Sequence, residues 1–370
     1  MIQKVSFRNF KAYRSLDLEL EPLTVLVGPN ASGKTTLLQG LRLATGLAGQ
    51  ELEELLPGSA ERIALNSYGT TVPIEWTLSG VWNGEEGRLD VTSSSNEPNA
   101  TVTGQWAGNA WPSASSTSWG PPAFRQALLS TSILRFEAQA LAKASYSEEP
   151  VPKIGGSGDG LASVLAYLKL SQDEVFDEIE QALEQIVPSV RRIRIERAAV
   201  EQTTLRTIAL DEQRHQVSEQ RTLWGNKLVL DMRGAKGVAA DSAGEGTLMA
   251  LGLLTVLMGP EKPRLVLLDD IELGLHPVAQ GKLIEALRKL QERDPELQII
   301  ATSHSPFILN YLDPKEVRMT FLSENGFARC EKLTAHPEFE RWKDLMSPGE
   351  FWSTVGESWV EKVEAPKGQE

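Results

Sequence analysis

Hydrophobic positions near the start of the chain first alternate with polar ones and then become continuous. Every second residue from Leu16 to Leu20 is apolar, and an uninterrupted apolar run extends from Leu23 to Val27. Alternation is typical of a half-buried strand, and a continuous run is typical of a strand buried on both faces. Residues 2–27 are therefore predicted to form three short strands. A helix-prone run from Thr35 to Leu43 follows, so a strand, a loop and a helix are expected in this order.

The next part of the chain changes to a strand pattern. Ile74, Trp76 and Leu78 alternate with polar residues, and the turn-forming pair Asn83-Gly84 comes before a further strand. Residues 104–122 are rich in Gly, Ser, Pro and Trp, which is the composition of a loop. The tryptophans of this segment either form a contact surface or pack back on the neighbouring strands; they are Trp106, Trp111 and Trp119.

The middle of the chain combines helical and strand patterns. Ile133 to Phe136 is predicted to be a buried strand, and a glycine-rich linker ends at Gly160. Two helices are expected next. Ser171 and Glu174 have the spacing of a capping box for the second helix. Residues 190–231 are again strand-like, and no heptad array long enough for a coiled coil is visible.

The last third contains the longest apolar runs. A helix is predicted over Leu248–Leu257, and buried strands are predicted at Leu265–Leu268 and Gln298–Thr302. Residues 313–370 are expected to form a strand pair, followed by an aromatic tail that packs on the preceding domain or docks a partner. The aromatic residues of this tail are Trp342, Phe351, Trp352 and Trp359.

Charge and cysteine content limit the classes of function. The chain has 370 residues and a formal net charge of −13, which disfavours a broad electrostatic grip on nucleic acid without excluding a local basic patch. Arg8, Lys11 and Arg14 are such a cluster, either as a solvated strand face or as phosphate or adenine contacts. Cys330 is the only cysteine, so a reducing, cytoplasmic location is expected. No apolar run is long enough to span a membrane.

The segment Gly28–Thr35 has the sequence G-P-N-A-S-G-K-T, which matches the phosphate-loop motif at every fixed position. Backbone N–H groups of such a loop surround an anion, and the following helix adds positive potential. Lys34 would reach the β- and γ-phosphates of ATP, and the Thr35 hydroxyl would hold Mg²⁺. The predicted nucleotide-binding residues in this segment and directly after it are Asn30, Ala31, Ser32, Gly33, Lys34, Thr35 and Thr36.

Two later strands are each followed by residues that suit phosphate chemistry. Asp269 and Asp270 end an apolar strand, where Asp269 is expected to orient Mg²⁺ and Asp270 to polarise the attacking water. His304 follows the next strand and could donate a hydrogen bond to a γ-phosphate or to the water. Ser242 and Gly244 form a turn before a helix, which is another end that can bind an anion.

In this order, the motifs are similar to those of ABC-type ATPase heads, and more closely the chain resembles the RecF/SMC-like ATPases, in the branch that includes OLD-type proteins. The resemblance extends from Met1 to about Leu312, apart from residues 60–125, and rests on the following segments: Asn9-Phe10-Lys11, Gly28–Thr35, Ser242–Glu245, Asp269–Pro277 and Ala301–Pro306. It implies an α/β P-loop NTPase fold of the ABC-ATPase head type. Such a fold has a mixed sheet core, an antiparallel β-rich lobe and a helical lobe.

The resemblance also implies a head-to-head homodimer, or a higher oligomer, with ATP between the subunits. Ser242 and Gly244 match the family's L-S-G-G-E turn, which would cover the γ-phosphate bound by the other subunit. Asp241 and Ala243 depart from that pattern, and a second register would place Gly244–Thr247 in the same role. Gln139 is a candidate for the glutamine that senses Mg²⁺, and Gln126 is its rival.

One departure from the family bears on the rate of hydrolysis. The family usually has glutamate after the Mg²⁺-orienting aspartate, and this chain has Asp270. Its carboxylate lies about 1 Å farther back, a displacement that can lower a rate about a hundredfold. Slow turnover with preserved ATP-driven dimerisation is therefore expected.

Three functions remain open at this point. The first is an ATP-hydrolysing switch that controls a separate effector protein, with a phage-defence role by family analogy. The second is a DNA-repair or DNA-end-binding ATPase, and the third is a scaffold that binds ATP but hardly hydrolyses it. Residues 313–370 contain no spaced acidic cluster of the metal-dependent nuclease type, so no nuclease domain is expected there.

The motifs divide the chain into five segments. Two carry the predicted ATPase head, namely 1–60 with the phosphate loop and 236–312 with the signature turn, the acidic strand end and His304. The others are the β-rich insert with its tryptophan loop at 61–125, the helical lobe and strands at 126–235, and the strands and aromatic tail at 313–370.

Overall fold

The computed structural model describes residues 1–56, 64–67, 72–94, 100–114, 119–210, 213–272 and 274–362. The chain divides into two compact units, each of which is assembled from separate segments. Unit 1 consists of Met1–Ile133, Pro263–Glu272 and Ile284–Glu370. Unit 2 consists of Leu134–Lys262 and Leu273–Leu283. The five-segment division made from the sequence stays a prediction.

A six-stranded mixed sheet forms the centre of unit 1, with the strand order β15-β14-β3-β13-β12-β8. Its strands are β3 (Leu23–Val27), β8 (Thr131–Leu134), β12 (Leu265–Leu268), β13 (Gln298–Ser303), β14 (Val317–Leu322) and β15 (Ala328–Lys332). Strand β13 pairs in parallel with both β3 and β12, and β14 pairs in parallel with β3. The carboxyl ends of these strands therefore meet at one edge, where ligands of open α/β sheets bind.

A second sheet of unit 1 is antiparallel and has the order β2-β1-β4-β5-β6-β7. Its strands are β1 (Ile2–Phe10), β2 (Tyr13–Glu19), β4 (Ile74–Trp82), β5 (Glu85–Ser93), β6 (Thr101–Trp106) and β7 (Asn109–Ala114). Phe10 packs edge-on against Phe7 and Trp76, at 5.5 Å between ring centroids in both pairs. The predicted turn at Asn83-Gly84 is confirmed, with φ angles of 53° and 80°.

The prediction of a loop over residues 104–122 is wrong for its first part, where β6 and β7 form a hairpin. Ala107 and Gly108 make the turn with φ angles of 48° and 78°, the positive values that tight hairpins need. The tryptophans pack inward, since Trp111 stacks on Trp119 at 5.9 Å and Trp106 stacks on Phe124 at 4.9 Å. Trp119 is 2 % exposed and donates its indole N–H to the Leu47 carbonyl. Residues 115–118 lie outside the described part.

Helices and a packed tail complete unit 1. Its helices are α1 (Lys34–Gly46), α2 (Leu52–Leu55), α3 (Pro122–Leu129), α9 (Pro306–Leu309), α10 (Phe339–Trp342) and α11 (Pro348–Val355). A further helix, α8 (Pro277–Arg293), begins in unit 2 and ends in unit 1. Trp342 stacks on Phe351 at 3.9 Å, and both are buried. The N–H of Gly349 in α11 donates to Asn310 Oδ1 at 3.0 Å, so the tail packs on the preceding domain as predicted.

Unit 2 combines helices with a long β-hairpin. Its elements are α4 (Ala138–Ala142), α5 (Leu161–Ser171), α6 (Asp173–Ile186), β9 (Val190–Leu210), β10 (Gln213–Met232), β11 (Ala235–Ala239) and α7 (Glu245–Met258). The pairing of β9 with β10 extends from Val190↔Met232 to Leu210↔Gln213, which confirms the predicted strand character of this region. No helix in the described ranges is long and apolar enough to cross a membrane.

Two local predictions for the middle of the chain are wrong. Ser171 is the last residue of α5, so α6 begins without the expected side-chain cap. The strand predicted for Ile133–Phe136 is shifted, because β8 ends at Leu134. Beyond it, the N–H groups of Arg135 and Glu137 bond to the linker carbonyls of Gly156 and Ser157 instead of a strand.

Candidate functional site

The segment Gly28–Thr35 connects β3 to α1 at the carboxyl edge of the central sheet. Gly28, Ala31 and Gly33 have φ angles of 150°, 61° and 100°, so three of six consecutive residues have the positive φ that favours glycine. A Cβ atom at Gly28 would lie 2.2 Å from the Thr320 carbonyl oxygen, so only glycine fits there. The predicted strand–loop–helix order is confirmed.

Lys34 lies inside this loop. Its ammonium donates hydrogen bonds to the carbonyls of Gly28 and Pro29, both at 2.9 Å, and the residue is 5 % exposed. Burial lowers the pKa of Lys34, and the carboxylates of Asp270 and Asp269 act in the opposite direction. The loop thus encloses a positive charge that faces nearby acids.

The other predicted loop residues differ in exposure. Asn30, Ala31 and Thr35 are exposed, Thr36 is half-buried, and the short Ser32 side chain is fully buried. The Ser32 hydroxyl lies 2.5 Å from that of Thr320, and its N–H donates to the Pro29 carbonyl. The Ser32 hydroxyl is therefore turned into the protein, away from any ligand at the loop surface.

Hydroxyl and carboxylate groups from three segments meet beside the loop. The Thr35 hydroxyl donates to Asp269 Oδ1 at 3.5 Å, and the Thr302 hydroxyl donates to the same oxygen at 2.6 Å. Thr302 also accepts the backbone N–H of Asp270 at 2.9 Å. No group of three or more His, Cys, Asp or Glu side chains in the described ranges is arranged to hold a metal by itself.

His304 follows β13 and lies next to Asp270. Its Nε2 atom is 3.7 Å from Asp270 Oδ1, and each side chain is 41 % exposed. Asp270 has a φ of 54°, a left-handed conformation that is uncommon outside glycine. A non-glycine residue held in this region next to polar chemistry is a recognised mark of a functional site.

The sequence predicted no chemical role for two residues of this edge, Glu272 and Thr302. Glu272 Oε1 accepts the backbone N–H of His304 at 2.6 Å, and Glu272 Oε2 is buried with no hydrogen-bond partner among the described residues. Thr302 bonds to both aspartates of the β12 end. A strand pattern predicts burial but not side-chain bonds to a neighbouring turn. The only sequence signal for Glu272 is that it lies two residues after Asp270.

The predicted signature turn lies in unit 2, before α7. Ser242 ends a short 3₁₀ turn, is exposed, and donates its hydroxyl to Asp241 Oδ1 at 3.1 Å. Gly244 is the exposed residue that precedes α7. In the second register Gly246 would take this place, but Gly246 is buried against the Gly274 backbone.

The remaining candidates have less distinctive surroundings. Gln139 is an exposed residue of α4 in unit 2, and Gln126 is an exposed residue of α3 in unit 1, so the choice between them stays open. Among the basic residues near the start, Arg8 pairs with Asp17 at 2.7 Å, and Lys11 donates to the Gln39 side chain.

Comparison with protein families gives two matches. Residues 1–48 match the model described as "AAA ATPase domain". Residues 152–310 match the model described as "AAA domain, putative AbiEii toxin, Type IV TA system". The first range contains the phosphate loop, and the second contains the turn before α7, the acidic strand end and His304.

Two curated proteins match over short stretches. An OLD nuclease from Thermus scotoductus is 44 % identical over 46 residues, which is 12 % of this chain and 9 % of that protein. The DNA replication and repair protein RecF from Roseiflexus castenholzii is 51 % identical over 41 residues, which is 11 % of this chain and 10 % of that protein. The matched stretches thus cover about a tenth of these relatives.

Solved structures match over nearly the whole chain. A SmcHead bound to the C-winged helix domain of ScpA has a TM-score of 0.56 at 12 % identity, over 89 % of this chain and 96 % of that one. An Smc head domain with an extended coiled coil, bound to the C-terminal domain of ScpA derived from Pyrococcus furiosus, has a TM-score of 0.54 at 10 % identity, over 93 % and 99 %. These likenesses show the fold, and the predicted α/β head fold is confirmed.

Proposed function

We propose that this chain, a RecF/SMC-like ABC-type ATPase, binds ATP with Mg²⁺ at the Gly28–Thr35 loop and closes as a homodimer around it. The closed dimer would act as a switch for a separate effector protein. The observation that carries this proposal is the hydrogen-bonded group beside Lys34, in which Thr35, Thr302 and the Asp269-Asp270 turn meet.

Thr35 and Asp269 are the proposed Mg²⁺ ligands. Mg²⁺ prefers hard oxygen donors and takes only one or two from the protein when phosphate supplies others. The Thr35 hydroxyl and Asp269 carboxylate oxygens are 3.5 Å apart, and both belong to unit 1, so the donor set fits. Bound Mg²⁺ supplies charge stabilisation to the phosphates. Gln139 stays a further proposed ligand.

Lys34 and the loop backbone would hold the triphosphate. Among the described residues, the ammonium donates to the carbonyl oxygens of Gly28 and Pro29, and it can exchange these bonds for stronger ones to phosphate oxygens. The predicted contacts of Asn30, Ala31, Gly33 and Thr36 stay part of this proposal. For Ser32 it is limited to the backbone, because the hydroxyl is turned inward.

Asp270 and His304 would act on the attacking water. Asp270 Oδ1 would accept a hydrogen bond from the water and take its proton, while His304 Nε2 would donate to the γ-phosphate. Their separation of 3.7 Å allows both to reach one small ligand. Glu272 would position His304 through the backbone N–H that it accepts.

Slow hydrolysis is part of the proposal. Aspartate at position 270 holds its carboxylate closer to its own backbone than glutamate would, and displacements of about 1 Å can cost about a hundredfold in rate. Dimerisation depends on ATP binding rather than on water attack, so it would be less affected. If hydrolysis is very slow, the protein would act as a scaffold that assembles with ATP but hardly hydrolyses it.

The dimer would be completed by Ser242 and Gly244 of the second subunit. Both residues are exposed, and α7 presents its N-terminus directly behind them. Helix N-termini favour anions, so the γ-phosphate of a facing subunit is a suitable ligand. The burial of Gly246 supports the Ser242 register over the alternative.

The proposed biological role is phage defence through a partner effector, in the cytoplasm. It is supported by the AbiEii toxin in the name of one matched model and by the match to an OLD nuclease. Cys330 is the only cysteine of the chain and is buried, so no intrachain disulfide forms, which fits a reducing compartment. The RecF match supports a DNA-repair role as the second candidate, although the net charge of −13 opposes it.

The decisive experiment measures assembly size with and without ATP. Protein purified with its native operon neighbours should shift to a dimer or larger assembly in ATP, whereas Lys34→Ala should not. ADP serves as the ligand control, and circular dichroism checks that the variant is folded. An assembly size that is the same with and without ATP would contradict the proposed switch. Strong stimulation of ATP hydrolysis by DNA, with a steep salt dependence, would favour the repair role.

A further inference from the structure

Strand β14 supports the phosphate loop from behind, although it lies outside both ranges matched by the family models. It pairs in parallel with β3 so that Met319 lies beside Val27, which brings Thr320 next to Gly28. Thr320 is fully buried, and its hydroxyl donates to the Val27 carbonyl at 3.0 Å. The same oxygen lies 2.5 Å from the Ser32 hydroxyl.

The direction of this hydroxyl pair follows from its proton count. A threonine hydroxyl has one proton to donate, and the Val27 carbonyl can only accept. The Thr320 hydroxyl therefore donates its hydrogen bond to the Val27 carbonyl, and the Ser32 hydroxyl donates to the Thr320 hydroxyl oxygen. The Ser32 hydroxyl is thereby committed to the protein interior and is withheld from the ligand side of the loop.

The hairpin of β14 and β15 also fits both glycines of the loop. A Cβ atom at Gly28 would lie 2.4 Å from the Thr320 hydroxyl, and one at Gly33 would lie 2.7 Å from the Ala328 side chain. The Tyr13 hydroxyl donates to the Gly33 carbonyl at 3.2 Å on the same side. The loop thus rests against a wall whose shape requires glycine at two positions.

We infer that Thr320 is a positioning residue for nucleotide binding: by anchoring Ser32 and Val27, it holds the loop in its anion-binding shape before ATP arrives. Preorganisation raises affinity because the ordering of the loop is not left to the ligand. This inference rests on the proposed binding of ATP at the loop. It adds that the C-terminal hairpin sets the affinity without touching the nucleotide.

The test is a double-mutant cycle on Thr320 and Ser32, with MgATP binding measured by calorimetry. Thr320→Val keeps the shape but removes the hydroxyl, and ATP should bind about tenfold more weakly. Thr320→Ser keeps the hydroxyl and should bind close to wild type. Ser32→Ala should also weaken binding, and the double variant should lose less than the sum of the two single losses.

A matched control separates positioning from general stability. Thr255 in α7 is 1 % exposed, and its hydroxyl donates to the Leu251 carbonyl at 2.7 Å. Thr255→Val makes the same change at a buried hydroxyl outside the loop and should leave the ATP dissociation constant unchanged. If Thr320→Val is poorly folded, Ser32→Ala and Thr320→Ser still decide the matter.

Each outcome bears on a separate claim. Wild-type affinity in Thr320→Val and Ser32→Ala, or a Thr320→Ser variant as weak as Thr320→Val, would overturn the positioning role alone. Failure of the wild-type protein to bind MgATP would overturn the proposed ATP site together with this inference. A tenfold loss that the serine restores, absent from Thr255→Val, is the expected result.

Discussion

The phosphate loop of unit 1 and the turn before α7 in unit 2 are both glycine-containing turns at the start of a helix, but they differ in what holds them. The first is tied to distant parts of the chain, since Thr35 bonds to Asp269 and Ser32 to Thr320. The second is local, because the exposed Ser242 donates to the adjacent Asp241. Distant bonds fix a geometry before a ligand binds, whereas an exposed local turn leaves its polar groups for a partner.

This difference supports a division of labour. Under the proposed function, unit 1 carries the half-site that would bind the nucleotide, with Lys34, the two aspartates and His304. The turn of unit 2 offers two exposed residues, Ser242 and Gly244, and a helix N-terminus. Such a turn suits an interaction that forms only when a second subunit arrives.

Loss of the enclosed cation should have the largest effect. Lys34→Ala removes the charge that the triphosphate would meet, so we expect ATP binding to weaken at least about a hundredfold. Calorimetric titration measures it, with Lys343→Ala, which removes an exposed lysine paired with Glu340, as the matched control. Equal ATP affinity in wild type and Lys34→Ala would contradict the proposal that the loop of unit 1 binds the triphosphate.

Blocking the turn of unit 2 should separate binding from turnover. Ser242→Arg places a bulky cation where a facing subunit would approach, so hydrolysis and ATP-dependent dimerisation should fall about a hundredfold while ATP binding by the monomer persists. Mixing Ser242→Arg with Lys34→Ala should restore hydrolysis, since one composite site is then intact. Full activity of Ser242→Arg alone would refute the trans role of this turn.

Lengthening the acid at position 270 should accelerate the reaction. Asp270→Glu moves the carboxylate about 1 Å farther out, and we expect hydrolysis to rise about tenfold or more with ATP affinity unchanged. Single-turnover kinetics measure it, with Asp270→Asn as the control that should lose hydrolysis. An unchanged or lower rate in Asp270→Glu would contradict the explanation of slow turnover.

Glu272 should have the smallest effect of this series. Glu272→Ala removes the acceptor for the His304 N–H, and kcat should fall several-fold to about tenfold without a change in KM. Glu272→Gln keeps an acceptor oxygen and should recover most of the rate. The double variant with His304→Ala should be no slower than His304→Ala alone, and additive losses would show that Glu272 acts independently.

The sequence allowed the central sheet and its order of motifs to be predicted, because buried parallel strands such as Leu265–Leu268 are continuous apolar runs. The sequence patterns gave wrong predictions where backbone hydrogen bonds determine the structure. The β6–β7 hairpin contains a turn residue, Ala107, with a positive φ that composition does not predict. Ser171 could not cap α6 because the preceding helix extends through it.

The residues of the candidate site could be predicted to a similar extent. Residues with a motif, such as Lys34 and Asp269, could be assigned roles, and their neighbours in the fold could be anticipated from strand order. Roles for Thr302, Glu272 and Thr320 could not be assigned, because their importance comes from hydrogen bonds to residues far away in sequence. No local pattern encodes such a bond.

The left-handed backbone at Asp270 has a consequence for the choice of amino acid there. Among acidic residues, aspartate tolerates a φ of 54° better than glutamate, because its short side chain can bond locally. The gain in rate expected for Asp270→Glu should therefore be accompanied by a lower stability of this turn. Aspartate at position 270 thus favours a stable turn at the end of β12 over the longer reach of glutamate.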